Sequence, residues 1–236
     1  MEPKIMALNK NKTDEKLGQE IHEHLLDLGV ETPMLRIHGI DDLKDSSIIE
    51  IIANNMKSTM NTLGLDLTDD SLQDTPRRVA KMYVDEIFYG LQIKNFPKIT
   101  VVENKFNYDE MLVEKSINVM SVCEHHFVGI VGKATIGYIP NGNVIGLSKL
   151  NRIVDYFARR PQVQERLTAQ IFHALCHILN TENVAVVIDA DHYCVKSRGI
   201  EDTGSSTVTS KLGGGFRTED GTRAEFMALA RGSNNG

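Results

Sequence analysis

Between residues 46 and 190 the period of the apolar residues changes from helical to alternating, back to helical and once more to extended, which leaves few folds open. Ser47 and Glu50 have the spacing of a capping box, and Ile48, Ile49, Ile51, Ile52, Met56, Met60 and Leu63 follow at near-helical intervals. Asp74-Thr75-Pro76 predicts a second helix, with Thr75 as cap and Pro76 in first position, running through Val79, Met82, Tyr83 and Ile87 to Gly90. Beyond Pro97 the segments 99–103, 116–122 and 127–139 are rich in β-branched residues and read as strands. The Pro140-Asn-Gly-Asn143 sequence closes the third of them as a turn. A helix over 148–159 follows, and Pro161 opens another in which Val163, Leu167, Ile171, Ala174, Leu175 and Ile178 form an apolar stripe. Residues 183–190 read as a last core strand, and the tail adds a Ser/Thr-rich strand-like piece, a glycine cluster and an amphipathic run over 223–231. The order helix, helix, strands, helix, helix, strand is that of an α+β domain with helices covering one face of an antiparallel sheet. Its bare face and edges would need a partner.

Residues 1–45 follow no such pattern. A short helix over 20–28 and the breaker Glu31-Thr-Pro33 read as a partly mobile appendage, leaving 46–236 as the functional domain with the helical pair at its start. An apolar share of 41% with 25% charged residues suits a soluble globular protein. No run of eighteen apolar residues occurs and residues 1–18 are polar, so the expectation is a cytoplasmic protein without a membrane span. A formal charge of −6 argues against a nucleic-acid partner, since phosphate-backbone affinity needs a basic surface. Three cysteines, Cys123, Cys176 and Cys194, are too few and too scattered for a disulfide framework and read as reduced thiols.

Two of those thiols sit in the densest chemical constellation, Cys123-Glu-His-His126 at one strand end and His192-Tyr-Cys194 at another. Thiolate and imidazole are the usual zinc ligands, and three protein ligands with one open position describe a catalytic site. Cys123, His125, His126, His192 and Cys194 compete for three places, which leaves imidazoles over for proton transfer. A closed structural site would want four ligands and no spares. His173 and His177 are four apart on a helix, but Ala174 stands where a zinc protease needs glutamate, and Cys176 reads as packing. Neither the Pro-Cys-x-x-Cys of nucleobase deaminases nor a phosphate-binding glycine loop is present, so side chains would have to hold any nucleotide phosphates. Gly146-Leu-Ser-Lys-Leu-Asn-Arg152 offers such a place: the Ser148 hydroxyl, with Lys149 and Arg152 on one face near a helix N-terminus. Gln164 and Glu165 carry groups that match the amide and amine edge of a purine.

Taken together, Ser121-Val-Cys-Glu-His-His126, Gly146 through Arg152, Arg160-Pro-Gln-Val-Gln-Glu-Arg166 and His192-Tyr-Cys-Val-Lys-Ser-Arg198 closely resemble the type I GTP cyclohydrolase family, with Asp74-Thr-Pro-Arg-Arg-Val-Ala-Lys81 in its usual place. The likeness spans about residues 46–231. It implies zinc held by Cys123, His126 and Cys194, with His125 and His192 as acid and base. It also implies Ser148 near the ribose, Gln164 and Glu165 on the guanine, and Lys149, Arg152 and Arg198 on the triphosphate, with Arg78 and Lys81 reaching a neighbouring subunit's phosphates. The activity implied is hydrolytic opening of the guanine imidazole ring of GTP, with loss of formate, to 7,8-dihydroneopterin triphosphate. The family's architecture, the tunnelling fold, joins four-stranded antiparallel sheets from several subunits into a barrel, and two pentameric rings stack into a homodecamer. That arrangement would supply the partner the open sheet requires.

Overall fold

The computed structural model describes residues 12–35 and 44–231. Helix α1 (Glu15–Asp27) starts where the Asp14 side chain accepts from Leu17 N–H at 3.1 Å. Its Ile21 and Leu25, one turn apart, are fully buried in the main core beside Phe96. Gly18 permits that docking, since a Cβ there would stand 2.6 Å from Phe96 Cβ. The boundary expected at residue 45 therefore parts segments that are packed together, and residues 15–32 are no appendage. Helices α2 (Asp45–Thr62) and α3 (Thr75–Lys81) form a smaller cluster through Ile49, Ala53 and Ala80. The capping box does not form. The chain enters α2 from Lys44, ahead of Ser47, and Glu50 pairs with Arg77 across the helices. Asp74, not Thr75, precedes α3, with Pro76 in its first turn. Nor does that helix continue straight to Gly90; it widens into a π-helical turn at Met82–Ile87 and then 3-10 turns. The change of course brings Gly90 against the C-terminal end of a later helix, where Gly90 N–H donates to Arg159 O at 3.0 Å.

Next come β1 (Val101–Glu103), β2 (Leu112–Cys123), β3 (Gly129–Tyr138) and β4 (Asn143–Ile145). They are followed by α4 (Leu147–Ala158), β5 (Pro161–Gln162), α5 (Gln164–Leu179), β6 (Val184–His192), α6 (Tyr193–Lys196), β7 (Thr207–Leu212), α7 (Gly214–Thr218) and α8 (Asp220–Arg231). The expected first strand lies outside the main sheet: β1 pairs with β4 in a small ribbon. The main sheet runs β5-β2-β3-β6-β7, four antiparallel strands with β5 added in parallel, so it is mixed. Pro161 thus begins an edge strand rather than a helix, a position that tolerates its missing N–H. Ile117, Val119, Ile130, Ala134, Ile136, Val186 and Ile188 alternate toward Leu150, Ile153, Phe157, Leu167, Ile171 and Leu175 of α4 and α5. Helices are not confined to that face, because Phe216 of α7 and Phe226 of α8 cover Ala185 and Val187 on the other. Farther along that second face Met120, Val131 and Val208 stay exposed. Among the described residues no helix is long and apolar enough to cross a membrane.

Candidate metal centre and acid–base site

Strand register decides which residues meet. Val122 pairs with Gly129 and Ile130 with His192, so the C-terminal ends of β2 and β6 lie at the same end of the sheet, one on either side of the start of β3. The loop after β2 is closed by Cys123 N–H to Val128 O at 2.8 Å and Phe127 N–H to Cys123 O at 2.9 Å. To make so tight a turn Phe127 adopts a φ of 54°, rare for a bulky residue. Its ring packs on Phe88, 5.3 Å between centroids, with Tyr83 on its edge, so the π-helical segment supports the loop from below. The loop leaves His125 and His126 exposed and Cys123 buried.

Cys123, His126 and Cys194 come together, their ligand atoms all within 4.8 Å of one another. That is the scale set by metal–ligand bonds of about 2.0–2.3 Å, and two sulfurs with one imidazole are a donor set suited to zinc. Burial and the neighbouring Cys123 sulfur push the Cys194 thiol up, since two adjacent thiolates would repel. The residues fit a divalent soft-to-borderline metal. His125 lies beside the trio, Nδ1 3.8 Å from Cys123 Sγ. Glu124, between them in sequence, is turned away to Arg166 of α5 at 2.5 Å, and this bond, against partial burial, holds its carboxyl below the usual range. Arg198 donates to His126 Nε2 at 2.9 Å.

His192 stands one residue before α6 and its Nε2 lies 2.7 Å from Gln164 Oε1. Burial pushes the His192 imidazole down, with Glu165 and Asp191 opposing. Gln164, expected on the guanine, is instead 1% exposed with its whole amide engaged inside the protein, whereas Glu165 is exposed and near His192. Ser148 and Lys149 occupy the first turn of α4 and Arg152 the next, but no hydrogen bond or ion pair joins them to the trio. Burial lowers the Lys149 ammonium, and Arg152, Lys98 and Lys12 add to the effect. The last two are cations of the same locus that sequence reading missed, because they are remote in the chain. Arg78 and Lys81 are exposed on α3, and Arg78 pairs with Asp74 at 3.5 Å. The cleft between α2 and α3, lined by Glu50, Lys57 and Arg77 among others, contains none of these groups. Cys176 is inert packing, its thiol pushed up to about 12 by burial and Glu182. His173 and His177 sit against His24 of α1, and burial lowers His173 to about 4.

Two thiols and one imidazole that could hold a metal ion, with His125 beside them and set at one end of the sheet of an α+β domain, form a candidate metal centre. The family model described as GTP cyclohydrolase I matches residues 52–231. A GTP cyclohydrolase 1 of Enterobacter sp. (strain 638) is 56% identical over 214 residues, 91% of this chain and 96% of that protein. One of Yersinia enterocolitica is 56% identical over 216 residues, 92% and 96% of the two chains. The chain belongs to the GTP cyclohydrolase I family.

Proposed function

We propose that the protein is a zinc-dependent hydrolase that opens the imidazole ring of GTP, releases formate and forms 7,8-dihydroneopterin triphosphate. One observation carries the reading: Cys123, His126 and Cys194 converge while His125 stays beside them and outside the trio, with His192 two residues before Cys194. Bound there, zinc would supply a Lewis acid that makes hydroxide available near neutral pH. The chain's own residues manage the protons and the substrate. Adding water to the guanine imidazole ring and breaking its C–N bonds leaves two nitrogens, each of which must take up a proton, and a one-carbon unit released as formate. His125 and His192 transfer these protons in this reading, and a positioned acid or base contributes about 10²–10⁴-fold. Glu165 accepts from the guanine N–H groups, Ser148 contacts the ribose, and Lys149, Arg152 and Arg198 hold the triphosphate. The ribose ring then opens and isomerises to a ketone at C2, and that carbonyl condenses with the freed amine with loss of water.

The same reading assigns the tunnelling fold, with four-stranded sheets joined between subunits into a barrel, and a homodecamer in which Arg78 and Lys81 serve the neighbouring site. Reduced thiol ligands suit the cytoplasm. The test is direct: purified protein given GTP produces formate, stops when a chelator strips the metal, and resumes when zinc is restored. No formate from the metal-loaded protein overturns the proposal.

A further inference from the structure

The reaction as read above uses His192 without saying which of its nitrogens works. Resting on that reading, we propose that Gln164 is a positioning residue that locks the His192 ring in one orientation, with its Nε2–H committed to the Gln164 amide oxygen and only the Nδ1 edge left to face the substrate. The argument starts from the amide. Gln164 Nε2 faces Ile188 O at 3.0 Å, Thr207 O at 2.9 Å and Thr209 Oγ1 at 3.0 Å. The two carbonyl oxygens only accept, so the amide nitrogen must point at them; a flipped amide would set its oxygen against both. Oε1 is thereby committed to the opposite side, 2.7 Å from His192 Nε2. An amide oxygen also only accepts, so His192 Nε2 carries the hydrogen.

The remaining hydroxyls fall into one consistent direction. Thr168 Oγ1 donates to Gln164 O at 2.8 Å and therefore accepts from Thr209 Oγ1 at 2.7 Å. Thr209 Oγ1 in turn faces the Gln164 amide nitrogen, whose two hydrogens are shared among it and the two carbonyl oxygens. Gln164 and Thr168 are one turn apart on α5, Thr209 is on β7 and His192 ends β6. Three elements thus fix a single imidazole. Gln164 is 1% exposed, Thr168 2%, so water does not compete for these bonds. A side chain buried this way commits both amide hydrogens and one lone pair of its oxygen inside the protein, which separates its role from that of the exposed Glu165.

The test uses the zinc-loaded oligomer and compares Gln164→Leu, Thr209→Val, His192→Ala and the double variant Gln164→Leu/His192→Ala with GTP. Steady-state kinetics, bound zinc and the mass of accumulated intermediates are read on the same preparations. Gln164→Leu is expected to lower kcat by about 10²-fold, as for a catalytic group held loosely, with KM and zinc near wild type. The double variant should be no slower than His192→Ala alone, because Gln164 acts only through that ring. Thr209→Val should lower kcat less, in the same sense, and it decides alone if Gln164→Leu does not fold. A raised KM with kcat intact, a double variant slowed by the product of the single effects, or an unchanged kcat for Thr209→Val overturns the inference. A wild-type protein that releases no formate overturns the underlying reaction instead, an outcome none of the Gln164 results can imitate.

Discussion

At Cys194 a soft sulfur faces the Cys123 sulfur and an imidazole, and replacing it by a hydroxyl of similar size removes a good zinc ligand from α6. Cys194→Ser should therefore lose bound zinc and formate production together. His125→Ala should behave differently, because that ring lies 3.8 Å from a ligand without belonging to the trio. Zinc measured by elemental analysis should stay near stoichiometric while formate falls by about 10²–10⁴-fold. A His125→Ala protein without metal, or a Cys194→Ser protein with metal and turnover, overturns the division of labour. The two Cys/His clusters were legible in the sequence because cysteine and histidine at strand ends are rare combinations with few other uses, but the residues alone left five candidates for three places and only the family resemblance singled out three. Gln164 was not. It and Glu165 are adjacent on α5, about 100° apart around the helix, and residue type alone does not say which of two neighbouring polar groups turns inward.

Among the elements, α1 shows how an unremarkable segment can sit under the site. Glu31, just beyond it, accepts from Arg160 Nη1 at 2.5 Å and lies 2.8 Å from His22 Nδ1, with both Glu31 and Arg160 buried. Gln170 and Thr32 join the same network, and Arg160 Nε donates to Gly90 O at 2.8 Å. Arg160 directly precedes β5, whose Gln162 pairs with Cys123, so the N-terminal segment braces the strand that ends in Cys123. Burial alone would raise the Glu31 carboxyl, but the His22 hydrogen bond, the Arg160 charge and the Thr32 N–H outweigh it and hold it below the usual range. For a depressed carboxylate the stabilisation is fully present above its unfolded value of about 4.3 and is lost as the pH falls through the folded value. Glu31→Gln leaves Arg160 buried and unpaired and should cost about 3–5 kcal/mol at neutral pH, while flattening the acid side of the stability profile. Urea titrations from pH 3 to 7 check both effects, and equal slopes for the two proteins in acid would refute the assignment. In the sequence this carboxylate looks like a surface residue beside a proline, and α1 offers only Ile21 and Leu25 as buried aliphatics. The helix pair and the long strands were legible because their apolar periods are unbroken. The caps, the π turn and β5 follow from contacts with distant segments, which no local pattern records.

At the scale of the whole molecule, one chain leaves its own chemistry unfinished. Strand β7 pairs with β6 on one side only, and Met120, Val131 and Val208 lie exposed on the sheet's second face. Lys149 and Arg152 gather with Lys12 and Lys98 into a patch of like charge that an anion would relieve, yet Arg78 and Lys81 are carried on α3 with no link to the trio. An assembly in which α3 of one subunit borders the site of the next resolves both features, and the homodecamer proposed above has that property. Dilute protein should then sediment far above 26.4 kDa, and a fully active monomer would refute the assembly. Subunit mixing gives the sharper result. Arg78→Ala and His125→Ala should each be poorly active alone at limiting GTP. Denatured together and refolded as mixed oligomers, they place an intact His125 from one subunit beside an intact Arg78 from another. Random mixing makes about a quarter of such shared, heterologous sites wild type. If both residues served the site of their own chain, every site in the mixture would carry one lesion and activity would stay at the level of the separate variants. Recovery toward a quarter of wild-type formate production supports sites shared between subunits; none, in oligomers shown by mass to be mixed, refutes the trans placement of Arg78.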